Sequence, residues 1–358
     1  MRFTVSSLVS NAPDPATAVR RTPQRKLHNV IDQAVLAEQL GYDGYGVGER
    51  HGEPFLSPAP PLLLSAIAAR TSTLRLFTTV TVLSVLDPVR VAEDDAMLDQ
   101  LSGGGLELIV GKGNDPRHCG LFGLPEERQW EALAENYGLL RRLWREEQVT
   151  WEGSTRPPLK DVTVWPRPFQ DPIPVWHGSA TSRQSADLAA RHGDPLFSAD
   201  SFRPLEKYRA LVAHYRERWE HYGHDPARAR VGASFGGLYV ARRSQGAVEG
   251  FRPYWNALLD SAAGRYDNSP FTSLEDALER GSALVGSPPT GDREDPPLPR
   301  GLRERGGRHR GGRAHRRGAA RTTGAVRNRG GPGGPSRAAV VARAGRPPAQ
   351  CAVHPYAG

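Results

Sequence analysis

Stretches with the spacing of β-strands and stretches with the spacing of α-helices alternate along most of this 358-residue chain. The β-prone run LRLFTTVTVL at 74–83 precedes a helix-spaced segment at 89–101, and the β-prone run LELIV follows at 106–110. Strands that alternate with helices form βαβ units around a parallel sheet. Because the alternation continues to about residue 290, we predict an α/β fold with a closed (β/α)8 barrel of the TIM type rather than an open sheet.

The other segments predicted from the same two periods complete this order. Further strands are predicted at 2–8, 45–48, 175–177 and 231–241, and further helices at 24–40, 61–70, 131–145, 182–192, 205–222 and 273–280. In a (β/α)8 barrel the ligand site lies at the carboxyl ends of the strands. The residues directly after each predicted strand are therefore the site candidates.

The composition changes near Pro288. Residues 291–358 contain 15 Arg, no Lys and four acidic residues, a net charge of +11, and neither apolar period continues there. Since the whole chain carries +8, residues 1–290 carry −3 and give no electrostatic reason to expect a nucleic acid partner. We therefore predict a barrel domain at 1–288 and a low-complexity, disordered Arg/Gly/Pro-rich basic tail at 289–358.

The tail is also typical of GC-rich coding sequence translated out of frame. A one-nucleotide shift of the codons for 290–300 permits a helix-forming sequence such as RVTEKILRYHE, and the same shift at 318–335 permits a second helix. We expect a frameshift near Pro288, which would leave the barrel incomplete at its C-terminal end. A genuine basic tail that binds nucleic acid is the alternative.

The cysteine count and the lack of long apolar runs bear on the compartment. Cys119 and Cys351 are too few for a disulfide framework and lack the spacing of metal ligands. The first residues lack the basic start and apolar stretch of a signal peptide, and no run of about 18 apolar residues occurs. We expect a cytoplasmic protein with no membrane partner and no metal site.

Four of the predicted strands run into residues that could carry chemistry. The charged triplet ERH at 49–51 could move protons, although a histidine at a strand end is more often a structural hydrogen-bonding group. The run TTVT at 78–81 by itself indicates only a buried strand. GKGN at 111–114 offers a cation and close backbone approach to a phosphate. WHGSATS at 176–182 offers a helix N-terminus to a phosphate, with an ordinary serine N-cap as the equal alternative.

Several motifs occur in the order of a known signature. DPVRVAED at 87–94, LDQLSGG at 98–104 and LELIVGKGN at 106–114 follow one another, and VWHGS at 175–179 forms a strand-to-helix turn. Over residues 1–288 this order resembles that of the bacterial luciferase-like FMN-dependent monooxygenases, which belong to the flavin-utilising monooxygenase superfamily. The triplet at 49–51 falls where that family has Glu-His-His.

The resemblance implies a flavin-dependent monooxygenase that uses reduced FMN and O2 to oxygenate a small organic substrate, such as an aldehyde, a ketone or an aromatic polyketide. A separate flavin reductase would supply the reduced FMN, and we expect a homodimer. An F420-dependent hydride-transfer oxidoreductase, which shares the barrel, is one alternative, and dependence on O2 separates the two. A non-catalytic flavin-binding barrel is the other alternative.

The family's motifs also assign roles to individual residues. Thr79 and Val80 stand where the family has a non-proline cis peptide in a bulge against the flavin ring. Lys112 stands at the position of a phosphate-binding arginine and keeps its charge without its bidentate geometry. Arg50 replaces the first histidine of the family's pair, so His51 is the better candidate for proton transfer and Arg50 would act as a fixed cation. The resemblance thus implies that His51 and Arg50 are catalytic, and that Thr79, Val80, Lys112, Gly113, Asn114, His177, Gly178, Ser179 and Ser182 bind the cofactor.

Overall fold

The structure is a computed structural model that describes residues 1–115, 117–199, 203–260 and 270–288. The basic tail predicted at 289–358, with the helices that a shifted frame would give it, lies outside these residues. The described elements follow one another as β1 Thr4–Ser7, α1 Pro23–Gln39, β2 Gly44–Val47, α2 Pro60–Ala68, β3 Arg75–Val82, α3 Pro88–Leu101, β4 Leu106–Gly111, α4 Arg117–Phe122, α5 Gln129–Arg145, β5 Val149–Trp151, β6 Leu159–Val162, β7 Val175–Ser179, α6 Arg183–His192, β8 Leu196–Ser198, α7 Leu205–His221, β9 Val231–Ala233, β10 Leu238–Val240, α8 Ser244–Asp260, α9 Leu274–Arg280 and β11 Leu284–Gly286.

Each strand and helix predicted before residue 222 is confirmed, to within two residues at either end. Caps in the sequence set several of these boundaries. The side chain of Thr22 accepts a hydrogen bond from the backbone N–H of Arg25 at the start of α1, and that of Asp87 accepts one from Val89 at the start of α3. A proline follows each cap at the first helical position, where its missing N–H costs nothing.

Seven strands form one parallel sheet in the order β1-β2-β3-β4-β7-β8-β9, and β10 and β11 form a separate parallel pair. The remaining two strands, β5 and β6, form an antiparallel hairpin outside the sheet. Neighbours in the large sheet follow chain order, as in a (β/α)8 barrel. Among the described residues β1 pairs with β2 and β11 pairs with β10, so no ladder there joins the last strand to the first.

The single strand predicted at 231–241 is wrong, because the structure has two strands in this segment. The first, β9, pairs with β8, and the second, β10, pairs with β11. Between them Gly237 has a φ of +149°, and a Cβ at this position would lie 2.5 Å from Cζ of Phe251. The strand is therefore interrupted where the ring of Phe251 from α8 packs against the glycine backbone.

The large sheet separates two layers of apolar side chains. Leu76 and Leu108 belong to a core that also contains buried residues of α1, α2, α3 and α5. Phe77, Ile109 and Trp176, which point to the other face of β3, β4 and β7, pack together inside the barrel. None of the helices in the described residues combines the length and the apolar character needed to cross a bilayer.

Candidate active site

A cavity of about 240 Å³ lies at the carboxyl ends of the strands. Residues that end or follow β1, β2, β3, β4, β7 and β8 contribute to its wall. This is the end of the barrel at which (β/α)8 enzymes carry their active sites. The cavity is lined by Leu8, Glu49, Arg50, Thr79, Val80, Val82, Gly111, Lys112, Gly113, Asn114, His118, Trp130, Gly178, Ser179, Ala180, Thr181, Ser182, Ala199, Arg203 and Tyr208.

The bulge expected at Thr79 and Val80 forms part of this wall. The peptide bond between them is cis, as the resemblance implies, and the register of β3 against β4 shifts between Thr79 and Thr81. A Cβ on Gly48 would lie 2.7 Å from the carbonyl oxygen of Thr79. A Cβ on Gly178 would lie 2.8 Å from Cγ1 of Val80. These two glycines therefore allow the bulge to pack tightly between its neighbouring strands.

Thr79 carries an unpaired hydroxyl. Its Oγ1 is buried and has no hydrogen-bond partner among the described residues. The preceding hydroxyl, Oγ1 of Thr78, accepts from the Ile109 amide at 3.2 Å and donates to the Ile109 carbonyl at 3.4 Å. Buried polar atoms are nearly always paired. A polar atom of a bound ligand could pair with the Thr79 hydroxyl, because Thr79 lines the cavity.

Lys112 supplies a cation to the cavity wall. Its Nζ donates to Oε1 of Gln129 and to the carbonyl oxygen of Gly113, both at 3.0 Å, and lies 5.7 Å from the ring centroid of Trp130. Burial lowers the pKa of Lys112, against the opposing charges of Cys119 and Glu126. An ammonium group has three donors. The two bonds leave one donor for an anion.

The N-terminus of α6 lies in the same wall. Oγ of Ser179 accepts from the backbone N–H of Ser182 at 2.9 Å and donates to the Ser182 carbonyl at 3.1 Å, which closes the turn before the helix. The Ser182 side chain makes no capping hydrogen bond to α6. The first amides of a helix carry partial positive charge and attract anions. Together with Lys112, this turn forms a part of the cavity wall that could hold an anion, called the anion-binding part below.

Arg50 and Glu49 are held in place by neighbouring strands. Nη1 of Arg50 donates to Oδ1 of Asn114 at 2.8 Å, and its guanidinium lies 5.5 Å from the ring centroid of Phe55. Oε2 of Glu49 accepts from the backbone N–H of Val82 at 2.8 Å. Both side chains are buried, at 4% exposure for each residue. The guanidinium is therefore a positive charge held in place in the cavity wall.

His51 does not line the cavity, which corrects its predicted placement. Its Nε2 is 2.9 Å from Oε1 of Glu49, and its ring packs edge-on against His118 and Phe122, with centroids 5.0 and 4.9 Å apart. His118 does line the cavity and is 1% exposed. Sequence reasoning missed it because it lies on α4, a short helix with no periodic signal. The histidine in the cavity wall is thus supplied by the short helix α4, which follows β4.

His177 also lies outside the cavity, and its predicted contact with the cofactor is corrected. Side chains of a strand alternate between faces, so Trp176 points into the barrel and His177 points away from it. Nε2 of His177 is 3.3 Å from Oδ2 of Asp194, and its ring packs edge-on against Tyr137 of α5 with centroids 4.5 Å apart. His177 is a fully buried group between the sheet and its helices.

Nine of the eleven residues predicted for the site line the cavity: Arg50, Thr79, Val80, Lys112, Gly113, Asn114, Gly178, Ser179 and Ser182. Arg203 and Tyr208 were not predicted, and the backbone N–H of Arg203 donates to the Tyr208 hydroxyl at 3.0 Å. No group of three His, Cys, Asp or Glu side chains within the described ranges is arranged to hold a metal ion.

The family model for luciferase-like monooxygenases matches residues 1–290. The chain belongs to this family. It is 27% identical over 292 residues to 4-hydroxyprotoasukamycin monooxygenase from Streptomyces nodosus subsp. asukaensis, a match that covers 76% of this chain and 77% of that relative. The crystal structure of monooxygenase RslO1 from Streptomyces bottropensis superposes with a TM-score of 0.68 at 27% identity, over 80% of this chain and 85% of that one. The predicted α/β fold of the TIM-barrel type is confirmed, with the described strands forming an unclosed part of the barrel.

Proteins similar to this luciferase-like chain use two different cofactors. The FMN complex of the oxygenating constituent of 3,6-diketocamphane monooxygenase from Pseudomonas putida superposes with a TM-score of 0.66 at 19% identity, over 80% of this chain and 85% of that one, which shows the fold alone. An F420-dependent glucose-6-phosphate dehydrogenase from Intrasporangium calvum is 34% identical over 176 residues, or 46% of this chain and 52% of that relative. The chain is also similar to two uncharacterised proteins from Sinorhizobium fredii, and the matches span only 48% and 49% of their lengths.

Proposed function

We propose that this luciferase-like protein is a monooxygenase that binds reduced FMN in the cavity and oxygenates a small organic substrate with O2. One observation carries the proposal. A single cavity joins an anion-binding part, formed by Lys112 and the N-terminus of α6, to the bulge at Thr79 and Val80 with its unpaired hydroxyl. FMN has a phosphate at one end and a flat ring with polar edges at the other. The residues present therefore fit FMN.

Each part of the cavity wall has a defined task in this proposal. Lys112 and the first amides of α6 would hold the phosphate, and the Thr79 hydroxyl would bond to the polar edge of the ring. When bound, reduced FMN supplies the electrons that activate O2. Val80 and Val82 give the wall apolar surface that excludes water. The guanidinium of Arg50 would stabilise negative charge that develops on the substrate.

Relatives that are named monooxygenases support an oxygenase over the alternatives. The chain is similar over most of its length to 4-hydroxyprotoasukamycin monooxygenase and to the monooxygenase RslO1. The F420-dependent match covers less than half of the chain. An F420-dependent hydride-transfer enzyme is the second candidate, because the same anion-binding part of the cavity could hold the phosphate of F420. For the oxygenase we propose an aldehyde, a ketone or an aromatic polyketide as substrate.

The test separates cofactor binding from oxygen chemistry. Purified protein is titrated with reduced FMN and with F420 under anaerobic conditions, and absorbance is followed. We expect saturable binding of reduced FMN and, after 18O2 is admitted with decanal, cyclohexanone or 1-naphthol, one labelled oxygen atom in a product. Reduction of a substrate by reduced F420 without O2 would establish the second candidate. If the protein binds reduced FMN, but the bound FMN is reoxidised as fast as free reduced FMN and no labelled product forms, the protein is a flavin-binding barrel.

Three further properties are proposed: a partner enzyme, a homodimer and a C-terminal segment translated out of frame. We propose that a separate flavin reductase supplies the reduced FMN and that the protein forms a homodimer. Leu62 on α2 and Met97 and Leu101 on α3 are apolar and exposed, at 76%, 49% and 63% exposure. We also propose that the tail at 289–358 is translated out of frame. The family match ends at residue 290, two residues after the composition changes, which supports this boundary.

A further inference from the structure

His118 lies in the cavity wall with its polar atoms unpaired. The residue is 1% exposed, and neither Nδ1 nor Nε2 has a hydrogen-bond partner among the described residues. Buried polar atoms are paired in the large majority of cases, and leaving them unpaired is costly. A group that enters the cavity is therefore expected to pair with this ring.

Two polar side chains beside the ring, Asp115 and His51, are engaged elsewhere. Oδ2 of Asp115 lies 3.9 Å from Nε2 of His118, beyond hydrogen-bond distance, and both carboxylate oxygens of Asp115 accept from Arg117. His51 contacts the ring edge-on, and its own Nε2 is bonded to Glu49. The pair of His51 and Glu49 therefore supports the ring of His118 without using its nitrogens.

The charge of the ring limits what it can bind. Burial is the main cause that lowers the pKa of His118 to about 4; the carboxylate of Asp115 opposes it, while the charges of His51, Arg50 and Arg117 add to it. The imidazole is neutral at neutral pH and presents one N–H donor and one acceptor nitrogen. Such a ring suits an uncharged oxygen, since it has no charge to attract a carboxylate or a phosphate.

Most other polar groups of the wall are committed to protein partners or suited to anions, and the unpaired hydroxyl of Thr79 is assigned to the flavin ring in the proposed function. Glu49 accepts from the Val82 amide and pairs with His51. The hydroxyl of Tyr208 accepts from the backbone N–H of Arg203. Lys112 is a cation and belongs to the anion-binding part of the cavity. His118 is thus the neutral group of this wall that is best suited to a carbonyl or hydroxyl.

We infer that His118 binds the carbonyl or hydroxyl oxygen of the substrate and thereby selects substrates that carry such an oxygen. This inference rests on the proposed function, in which the same cavity holds the substrate next to FMN. His118 is the substrate-binding residue, and His51 with Glu49 positions its ring. His51 does not line the cavity, and in this inference it acts only through its contact with the ring of His118.

The test compares two probes of similar shape, cyclohexanone and methylcyclohexane, of which only the first carries an oxygen. FMN-free protein with 13C-labelled histidine is titrated with each probe, and the NMR signal of His118, assigned from the His118→Asn variant, is followed. We expect cyclohexanone to shift this signal and to bind about three- to tenfold more weakly to His118→Phe. Methylcyclohexane should bind both proteins equally. Since the ring is neutral, the affinity for cyclohexanone should be constant from about pH 6 to pH 9.

A control variant at a second histidine and a second substitution at His118 accompany the test. His221, an exposed histidine on α7, is changed to Phe and should leave both affinities unchanged. If circular dichroism shows that His118→Phe is unfolded, the wild-type titration and His118→Asn carry the test. The inference is overturned if cyclohexanone leaves the His118 signal unmoved, or if both probes lose the same affinity. It is also overturned if His118→Phe weakens FMN and not cyclohexanone. If the wild type fails to bind FMN, the proposed function fails instead.

Discussion

The two ends of the barrel interior treat their buried polar groups in opposite ways. At the amino ends of the strands, Glu107 accepts hydrogen bonds from Arg2 at 2.5 Å, Arg75 at 3.2 Å and Nε1 of Trp176 at 2.9 Å. At the carboxyl ends, Oγ1 of Thr79 and both ring nitrogens of His118 have no hydrogen-bond partner within the described residues. The amino end satisfies the carboxylate of Glu107 with protein donors, whereas the carboxyl end leaves these three atoms without a protein partner.

The difference shows how one fold separates stability from function. In barrels of this kind the amino ends of the strands contribute to stability and the carboxyl ends carry the active site. Burial alone would raise the pKa of Glu107, but the hydrogen bonds from Arg2 and Trp176 and the charges of Arg2 and Arg75 outweigh it, so the pKa is lowered. Substitutions at the two ends should therefore change different measurements.

The largest effect is expected at Glu107. Glu107→Gln removes the charge that holds two arginines and should lower the free energy of unfolding by about 2–3 kcal/mol. The loss stays below that of a fully buried pair because Arg2 and Arg75 are 43% and 30% exposed and regain water. Urea unfolding measures it, and FMN affinity should not change. The control is Glu146→Gln, which breaks a surface pair with Arg142 and should cost less than about 0.5 kcal/mol.

The lowered pKa of Glu107 predicts that the stability of the fold depends on pH. The pKa of Glu107 is lower in the folded protein than its ordinary value of 4.5. The stability that its charge contributes is therefore present above pH 4.5 and is lost as the pH falls through the folded-state pKa. The difference in unfolding free energy between wild type and Glu107→Gln should narrow below that pH. A difference that stays constant there would show that the charge of Glu107 does not stabilise the fold.

A smaller effect, confined to binding, is expected at Lys112. Lys112→Ala removes a charge-assisted donor and should weaken FMN about tenfold or more, while Lys112→Arg should recover most of the affinity. Riboflavin has the same ring without the phosphate, so its affinity should not change in either variant. Fluorescence titration measures both ligands. Equal weakening of FMN and riboflavin would place Lys112 at the ring instead of the phosphate.

Much of the fold could be predicted because its longer elements carry a strong period. The β-prone run of β3 and the helical spacing of α3 were found with their boundaries nearly correct. The missed elements lack such a signal: β8 has three residues, and α8 contains Pro253, which argues against a helix interior. The break between β9 and β10 depends on the packing of a distant ring, which no local pattern shows.

Most of the residues predicted for the site line one cavity, but the side-chain directions of the others were predicted less well. The rule that ligands bind at strand ends brought Arg50, Thr79 and Lys112 into one cavity. It could not decide which face of β7 carries His177, because a shift of one residue reverses the side-chain direction. It also did not reach His118, which the chain brings back to the cavity from a short helix after β4. Nothing in the local sequence marks that return.

The smallest and most direct test of the comparison uses two neighbouring threonines. Thr79→Val removes the unpaired hydroxyl and keeps the shape, so it should weaken both FMN and riboflavin about three- to tenfold and leave the free energy of unfolding unchanged or slightly higher. Thr78→Val removes a paired hydroxyl and should cost about 1 kcal/mol of stability while leaving both affinities unchanged. If the two variants behaved alike, the unpaired hydroxyl would not be reserved for a ligand. If Thr79→Val changes only ligand affinity and Thr78→Val changes only stability, one hydroxyl of this strand binds the cofactor and its neighbour stabilises the fold.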